Sequence, residues 1–361
     1  MGWLPCLRSG LVMPDSHIRL NKVTREWVIY APSRGKRPQD FQNQQTDRAP
    51  HQMEHDPHCP FCLGNEQEIE PSLLELPLCS HLVQSQNSPD LDSCDRVKWQ
   101  TRVVLNKFPA LTPTEDAHRS REGIYLSLPG YGQHEIVIES PSHTQTIATM
   151  SLAAVETVIE TYHQRYLALM DDPQNMMVII FRNHGKAAGA SLRHPHSQII
   201  ATGIVTHHRR SQEDEAQRYF DEWGSCVYCD ILNYEQQNPQ RLIAENRSFL
   251  AFVPFAAEVP FEIWIMPIQH QPDFGCISAQ EKRDFAAILK TVLGRLYKKL
   301  NNPDYNYVID TAARFKADEP QLHWYCRIRP RLTTSAGFEI GSGISINPSL
   351  PEADAAFLNA P

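Results

Sequence analysis

The sequence predicts an α+β fold built from two similar halves by internal duplication, each a largely antiparallel sheet with a long helix packed on it. Three observations carry this. A C-x-x-C pair opens each half, Cys59 with Cys62 in "HCPFCLGNE" and Cys226 with Cys229 in "SCVYCDIL". Two similar strands follow, "EIVIESPSH" (Glu135 to His143) and "EIWIMPIQH" (Glu262 to His270), in the same order as the cysteines. Each is then succeeded by a long amphipathic helix, a Pro-containing breaker and another strand; Pro173 and Pro303 lie 130 residues apart and His194 and His323 lie 129 apart. Matches recurring in one order mark a repeated supersecondary unit.

The elements follow from periodicity. "HEIVIES" and "PFEIWIMP" alternate as strands do. "TMSLAAVETVIETYHQRYLALM" puts Leu152, Val155, Val158 and Ile159 on one face, followed by Tyr162 and Tyr166. "ISAQEKRDFAAILKTVLGRLYKKL" does the same with Phe285, Ile288, Leu289, Val292 and Leu296, and each helix has Ser near its start as a cap. "DDPQNMMVII" and "NNPDYNYVID" are the breakers and strands that follow. A polar, helix-prone stretch, "THHRRSQEDEAQRYFDEW", separates the halves. The expected organisation is an N-terminal half over 13–202, a linker over 203–222, a C-terminal half over 223–350 and a tail over 351–361.

Composition narrows the function. The chain has 361 residues, 41% hydrophobic and 21% charged, with a net charge of -8. That supports a sizeable core and argues against a general nucleic-acid or membrane-surface binder, which needs a positive field. Apolar runs stay below the roughly 18 residues of a membrane span. The opening "MGWLPCLRSGLVM" reads poorly as a signal peptide; residues 1–12 are expected to be an extension, with Met13 as the start. The expected compartment is the reducing cytoplasm, where the two C-x-x-C pairs among nine cysteines indicate metal or redox chemistry.

The segment "NHGKAAGASLRHPHSQIIA" carries the reactive chemistry. On a strand, His194, His196 and Gln198 point to one face while Pro195 and Ser197 face away. Pro195 lacks an N–H and stiffens the strand. Neutral imidazole serves as metal ligand or as nucleophile. Cys59 and Cys62 with two histidines, His194 among them, make a tetrahedral zinc site. His194 has a mate in His323, so its role is needed in both halves and is structural. Position 196 is matched by Tyr325, and that asymmetry singles out His196 as the reactive residue. The plain alternative is a surface strand with two solvated histidines. The approach through Gly185, Gly189, Ala190 and Ser191 weighs against it, because small residues let backbone N–H groups reach a phosphate.

"NHGKAAGASLRHPHSQ" resembles the active-site signature of galactose-1-phosphate uridylyltransferases, a branch of the histidine-triad superfamily. "REWVIYAPSRGKRP", "CPFCLGNE", "RVVLNKFPAL", "HEIVIESPSH" and "PFEIWI" resemble the same family in order, from about residue 17 to 350, and "AGFEIGSGISINPSLPE" is more similar to the subgroup with plant ADP-glucose phosphorylases. The resemblance implies two histidine-triad-like halves, a covalent nucleotidyl-histidine on His196, and ping-pong transfer. It implies that Gln198 hydrogen-bonds the transferred phosphoryl group and Ser191 contacts phosphate. Asn106, Asn183, Arg34 and Arg37 match nucleotide- or phosphate-binding positions, and Gly337, Phe338 and Glu339 a segment near the hexose. It implies one structural zinc on Cys59, Cys62, His134 and His194, and a homodimer.

The second half departs from this pattern. Cys226, Cys229 and His323 are present, but His134 aligns with Phe261. The family's alternative position, just before "FVPFA", holds Ser248. The second metal site is therefore expected to lack a ligand, to recruit Glu245 or water, and to be weak or empty. The expected function is UDP-glucose:galactose-1-phosphate uridylyl transfer, with nucleotide sugar and hexose 1-phosphate as partners. The alternatives are ADP-glucose phosphorolysis, with inorganic phosphate as acceptor, and a non-catalytic nucleotide-binding zinc protein.

Overall fold

The structure is a computed structural model that describes residues 16–34, 54–78, 99–114 and 119–361. The proposed extension and Met13 lie outside these residues, as does Arg37; for Arg34 only the backbone is described.

The first half contains β1 (His17–Leu20), β2 (Trp27–Tyr30), β3 (Ser72–Leu76), β4 (Thr101–Leu105), β5 (Ser120–Glu122), β6 (Tyr125–Ser127), β7 (Gly132–Ile138), α1 (Leu152–Asp171), β8 (Met177–His184) and β9 (His196–Thr202). After α2 (His207–Trp223) and α3 (Val227–Gln237), the second half continues through β10 (Leu242–Glu245), β11 (Phe249–Phe252), β12 (Ile263–Pro267), α4 (Ala279–Lys299), β13 (Tyr305–Asp310) and β14 (Tyr325–Pro330). The chain closes with α5 (Gly337–Ser342), β15 (Ser345–Asn347) and α6 (Pro351–Asn359).

Ten strands form one sheet in the order β10-β11-β12-β14-β13-β8-β9-β7-β4-β3, with antiparallel pairing throughout. The order reads as two five-strand arrays joined at β8 and β13. Reading outward, β8-β9-β7-β4-β3 matches β13-β14-β12-β11-β10, so the duplication seen in the sequence is also a duplication of strand order. At the seam Tyr305 pairs with His184 and Ile309 with Ile180.

The two long helices form as expected. Ser151 caps α1 by accepting from Ala154 N–H, and Ser278 forms a capping box with Glu281 at the start of α4. Their apolar faces share one core with the odd-numbered positions of β9 and with β13; Val158, Ile159, Leu289, Val292, Ile199 and Tyr307 all belong to it. The alternation of β9 thus turns Ile199 and Ala201 into this core and leaves His196 and Gln198 on the other face.

Two stretches set outside the halves pack as helices. The segment 203–222, read as a linker, holds α2, capped by Thr206 and ended by Gly224 at φ 70°. Its polar composition hides a packed face: Arg209 is buried and donates to Asp310 at 2.9 Å. The tail over 351–361 is α6, which buries Ala355 and Leu358 and uses Asp354 to accept from Phe261 N–H at 2.8 Å.

Behind the H-P-H segment lies a buried polar cluster. Arg182 Nε donates to both Glu139 oxygens at 2.9 and 3.0 Å, and its Nη1 donates to Tyr305 Oη at 2.7 Å. Tyr162 and Ser197 also hydrogen-bond Glu139, and Tyr162 meets Tyr307 at 2.6 Å. Burial opposes the charge on Arg182, but Glu139 beside it prevails and holds the guanidinium protonated. Removing one member of such a pair leaves an uncompensated buried charge. Arg182→Met is therefore expected to cost about 3–5 kcal/mol, measured from the urea midpoint and slope; a loss below ~1 kcal/mol would show that Glu139 finds other compensation.

Candidate functional site

His196 is the first residue of β9 and is buried. Its Nδ1–H donates to the carbonyl of His194 at 2.8 Å, within the same short segment. That bond fixes the tautomer: Nδ1 carries the proton and Nε2 keeps its lone pair. Pro195 contributes its carbonyl, which accepts from Glu139 N–H at 3.0 Å and ties the segment to the end of β7. Phe61 packs edge-on against the His196 ring, with centroids 5.5 Å apart. Burial lowers the pKa of His196; Glu139 opposes the shift and Arg182 adds to it.

His196 lies on the wall of a cleft of about 770 Å³, within the usual range for a small-molecule site. Gln198, Ser191 and Asn106 line it with polar groups. Phe61, Val104, Ile136 and Leu192 supply the apolar part. The arrangement places a neutral ring nitrogen and several hydrogen-bonding groups around a space that fits a nucleotide-sized ligand.

Beside the cleft, Cys59, Cys62, His143 and His194 form a buried cluster, their donor atoms all within 4.8 Å of one another. Cys62 Sγ is 3.3 Å from His143 Nδ1 and 3.6 Å from His194 Nδ1. A tetrahedral S₂N₂ shell has donor–donor edges of about 3.5 Å at the usual metal–ligand lengths, so the set fits a metal. His194 Nε2 donates to Ser140 O at 2.7 Å, which turns Nδ1 toward the thiols. Burial, with a further push from His143, holds His194 down at about 4, and burial raises Cys59 to about 11.

This corrects one assignment. His134, expected as the fourth ligand, is not in the cluster; His143 stands there instead. His134 lies on β7 and faces Gln198, its Nε2 2.7 Å from Gln198 Oε1. His143 lies beyond the end of β7, and its backbone N–H donates to Glu54 O on the approach to the C-x-x-C.

The second half is corrected in the same way. Cys226, Cys229, His270 and His323 form a four-donor cluster within the same 4.8 Å limit. Cys229 Sγ is 3.3 Å from His270 Nδ1 and 3.7 Å from His323 Nδ1, and His323 Nε2 donates to Pro267 O at 3.0 Å. The expected gap is filled by His270, the repeat mate of His143. Ser248 and Glu245 are engaged elsewhere, with Asp284 and Gln236. Closed four-donor shells leave no position for a reacting water, so a metal at either site supplies stability to the loops around it.

Around the second cluster the corresponding space is packed with aromatic rings. Tyr228, Trp264 and Tyr325 fill it, with Trp264 and Tyr325 centroids 4.8 Å apart and Tyr228 and Tyr325 5.7 Å apart. All three are essentially inaccessible.

The other expected site residues divide. Asn106 and Ser191 reach the cleft with His196 and Gln198. Asn183 instead accepts from Asn306 Nδ2 at 2.7 Å, bracing the seam. Gly189, at φ 87°, ends the short turn before Ser191. Gly185 is the glycine the turn cannot replace: its φ is 84°, and a Cβ there would lie 1.6 Å from Asp304 Oδ1. Gly337, Phe338 and Glu339 lie in α5, outside the cleft walls; Glu339 accepts from Ala336 N–H at 3.0 Å. Sequence reading missed His143 and His270 as ligands, although both end the repeated strands that revealed the duplication. Among the described residues no helix is long and apolar enough to cross a membrane.

The duplicated α+β fold, the buried His196 on a nucleotide-sized cleft and the paired Cys₂His₂ clusters go with a nucleotidyltransferase. Residues 85–206 match the model of the galactose-1-phosphate uridyl transferase N-terminal domain and residues 212–342 that of its C-terminal domain. The chain is 34% identical to ADP-glucose phosphorylase of Arabidopsis thaliana, over 93% of this chain and 90% of that one. It is 28% identical to galactose-1-phosphate uridylyltransferase of Thermotoga maritima, over 93% and 95%. The crystal structure of an Arabidopsis thaliana ADP-glucose phosphorylase with bound ADP-glucose superposes with a TM-score of 0.77 at 31% identity, covering 96% of this chain and 99% of that one. The chain belongs to the galactose-1-phosphate uridyl transferase family and is an enzyme of its hexose-1-phosphate nucleotidyltransferase type.

Metal analysis checks the two clusters. The purified protein is expected to carry two metal ions per chain, His270→Ala one, and His134→Ala two. A full complement in His270→Ala would contradict the second cluster.

Proposed function

We propose that the protein is an ADP-glucose phosphorylase working through a covalent adenylyl-histidine on His196. The observation that carries the nucleophile is the His196 Nδ1–H bond to His194 O, which leaves the Nε2 lone pair as the reactive atom. Support for the adenine nucleotide and for phosphate as acceptor comes from the Arabidopsis thaliana ADP-glucose phosphorylase, 34% identical over 93% of this chain.

In the first step His196 Nε2 attacks the α-phosphorus of ADP-glucose. The N–P bond forms as the bond to the bridging oxygen breaks, and glucose 1-phosphate departs with that oxygen. In the second step an oxygen of inorganic phosphate attacks the same phosphorus, the N–P bond breaks, and ADP leaves with neutral His196 restored. Gln198 and Ser191 donate to the phosphoryl oxygens, and Asn106 holds the nucleotide at the cleft wall. Gly189, Arg34 and Arg37 are assigned supporting roles around the phosphates. The metal in both clusters is zinc, as two thiolates and two imidazoles favour.

A second reading, uridylyl transfer from UDP-glucose to galactose 1-phosphate, is favoured by the family models and by the Thermotoga maritima relative. Intact mass after incubation with ADP-glucose or UDP-glucose separately decides between them. An AMP adduct that phosphate discharges as ADP is the expected result; a UMP adduct discharged by galactose 1-phosphate would establish the second reading. His196→Ala is expected to form no adduct with either sugar nucleotide while keeping its zinc. An adduct on that variant would move the nucleophile to another residue.

A further inference from the structure

We propose that His134 is a positioning residue for nucleotidyl transfer, locking the Gln198 amide so that its NH₂ end faces the cleft beside His196. The inference rests on the reading of His196 as nucleophile. It starts from two backbone donors whose direction is not in doubt. Phe108 N–H donates to Asn106 Oδ1 at 2.9 Å, so the Asn106 amide nitrogen is turned toward His134, 3.4 Å from its Nδ1 and 3.1 Å from its Nε2. Ala110 N–H points at His134 Nδ1 from 3.3 Å, which makes Nδ1 the acceptor. A neutral imidazole carries one proton, so that proton is on Nε2. The opposite tautomer would set two N–H groups against each other at Ala110, whose backbone N–H is fixed, whereas the Asn106 NH₂ that lies 3.1 Å from Nε2 can turn a hydrogen to Nδ1 at 3.4 Å.

The His134 Nε2–H then meets Gln198 at 2.7 Å, and the end it meets must be the carbonyl oxygen. This fixes an otherwise two-fold choice. A glutamine amide presents either an acceptor or two donors depending on its flip, and here the donors are left over. Gln198 lines the cleft two residues along β9 from His196, and among the described residues its Nε2 takes no other hydrogen bond. The ordering runs in one direction, from backbone N–H groups of the 106–110 loop through a buried ring to a side-chain donor in the cleft. That loop is itself anchored to the same strand, since Asn106 N–H donates to the carbonyl of His134 at 2.9 Å.

The consequence is electrostatic. Negative charge on the non-bridging phosphoryl oxygens must be met as the N–P bond forms, and a donor already aimed there costs no reorganisation. Without His134 the amide is free to flip and offer its oxygen to those same atoms, which is repulsive. The loss falls on the chemical step, and the affinity for the nucleotide sugar is little affected.

A double-mutant cycle on the full-length metal-bound protein tests this. The rate of nucleotidyl-enzyme formation is measured with ADP-glucose, with UDP-glucose as the second probe, for His134→Phe and His134→Gln, each in wild-type and Gln198→Ala backgrounds. His134→Phe is expected to slow adduct formation and kcat roughly 10- to 100-fold, below or at the lower edge of deleting an oxyanion donor outright, with KM nearly unchanged. His134→Gln, which can still donate to Gln198 Oε1, recovers most of the rate. In the Gln198→Ala background His134→Phe adds less than about twofold, because the two residues act as one unit. Metal content stays at the wild-type value in every variant. If His134→Phe does not accumulate as folded protein, His134→Ala replaces it in the cycle. The proposal is overturned if the His134 effect is as large without Gln198 as with it, if it appears only in KM, or if a metal ion is lost. A wild-type protein that forms no adduct with either probe would instead remove the nucleophile assignment, and the proposal with it.

Discussion

The Glu139–Arg182 pair is the interaction on which the rest of the structure depends. Glu139 comes from the end of β7, Arg182 from β8 and the Tyr162 hydroxyl from α1, while Tyr305 and Tyr307 come from β13 in the other half. Four elements from both copies of the repeat therefore meet at one buried charge pair. The same Glu139 accepts from Ser197 with its side chain and bonds Pro195 with its backbone, on either side of His196. His196 is held from behind by a cluster too costly to rearrange, and its ring faces the cleft. The buried charge cluster and the cleft wall share one strand, on its opposite faces.

Much of this was legible in the sequence. The duplication, both long helices with their serine caps, and the convergence of His196 and Gln198 followed from period and spacing. The metal ligands show where that reasoning stops. The resemblance pointed to His134, and both choices put a histidine on or just past the same strand. What separates them is side-chain direction. His134 points from β7 across to β9, whereas His143 lies in the turn that folds back over the C-x-x-C. Linear spacing does not report that return. The buried Glu139–Arg182 pair was equally hidden, since its partners are 43 residues apart and nothing local marks either as buried. Arg209 and Asp354 likewise read as surface residues and are buried against specific partners.

The two halves share a scaffold and differ in what fills it. Cross-strand pairing sets Ile136 against Gln198 in the first half and Trp264 against Arg327 in the second. By that register the mates of His134 and Gln198 are Glu262 and Arg327. The strand thus runs one residue out of step with the match of "EIVIESPSH" to "EIWIMPIQH", and the loop before His270 is one residue shorter. Where the first half keeps Phe61, Ile136 and His196 around open space, the second has Tyr228, Trp264 and Tyr325 in mutual contact. Both copies keep the four-donor cluster, so the metal loops serve the scaffold in each. The first copy lines a cleft where the second packs aromatic rings.

The junction of β8 with β13 also has a meaning for how the chain is made. Their paired residues are more than 120 positions apart in sequence. During synthesis the first half therefore emerges with β8 as a bare, largely apolar sheet edge, and its natural cover is still to be translated. The long delay before β13 arrives exposes a template on which a neighbouring nascent chain can add its own strand. A protein grown by joining two copies of one unit has thereby traded an edge between molecules for a seam within one, and it is vulnerable for as long as that seam is open.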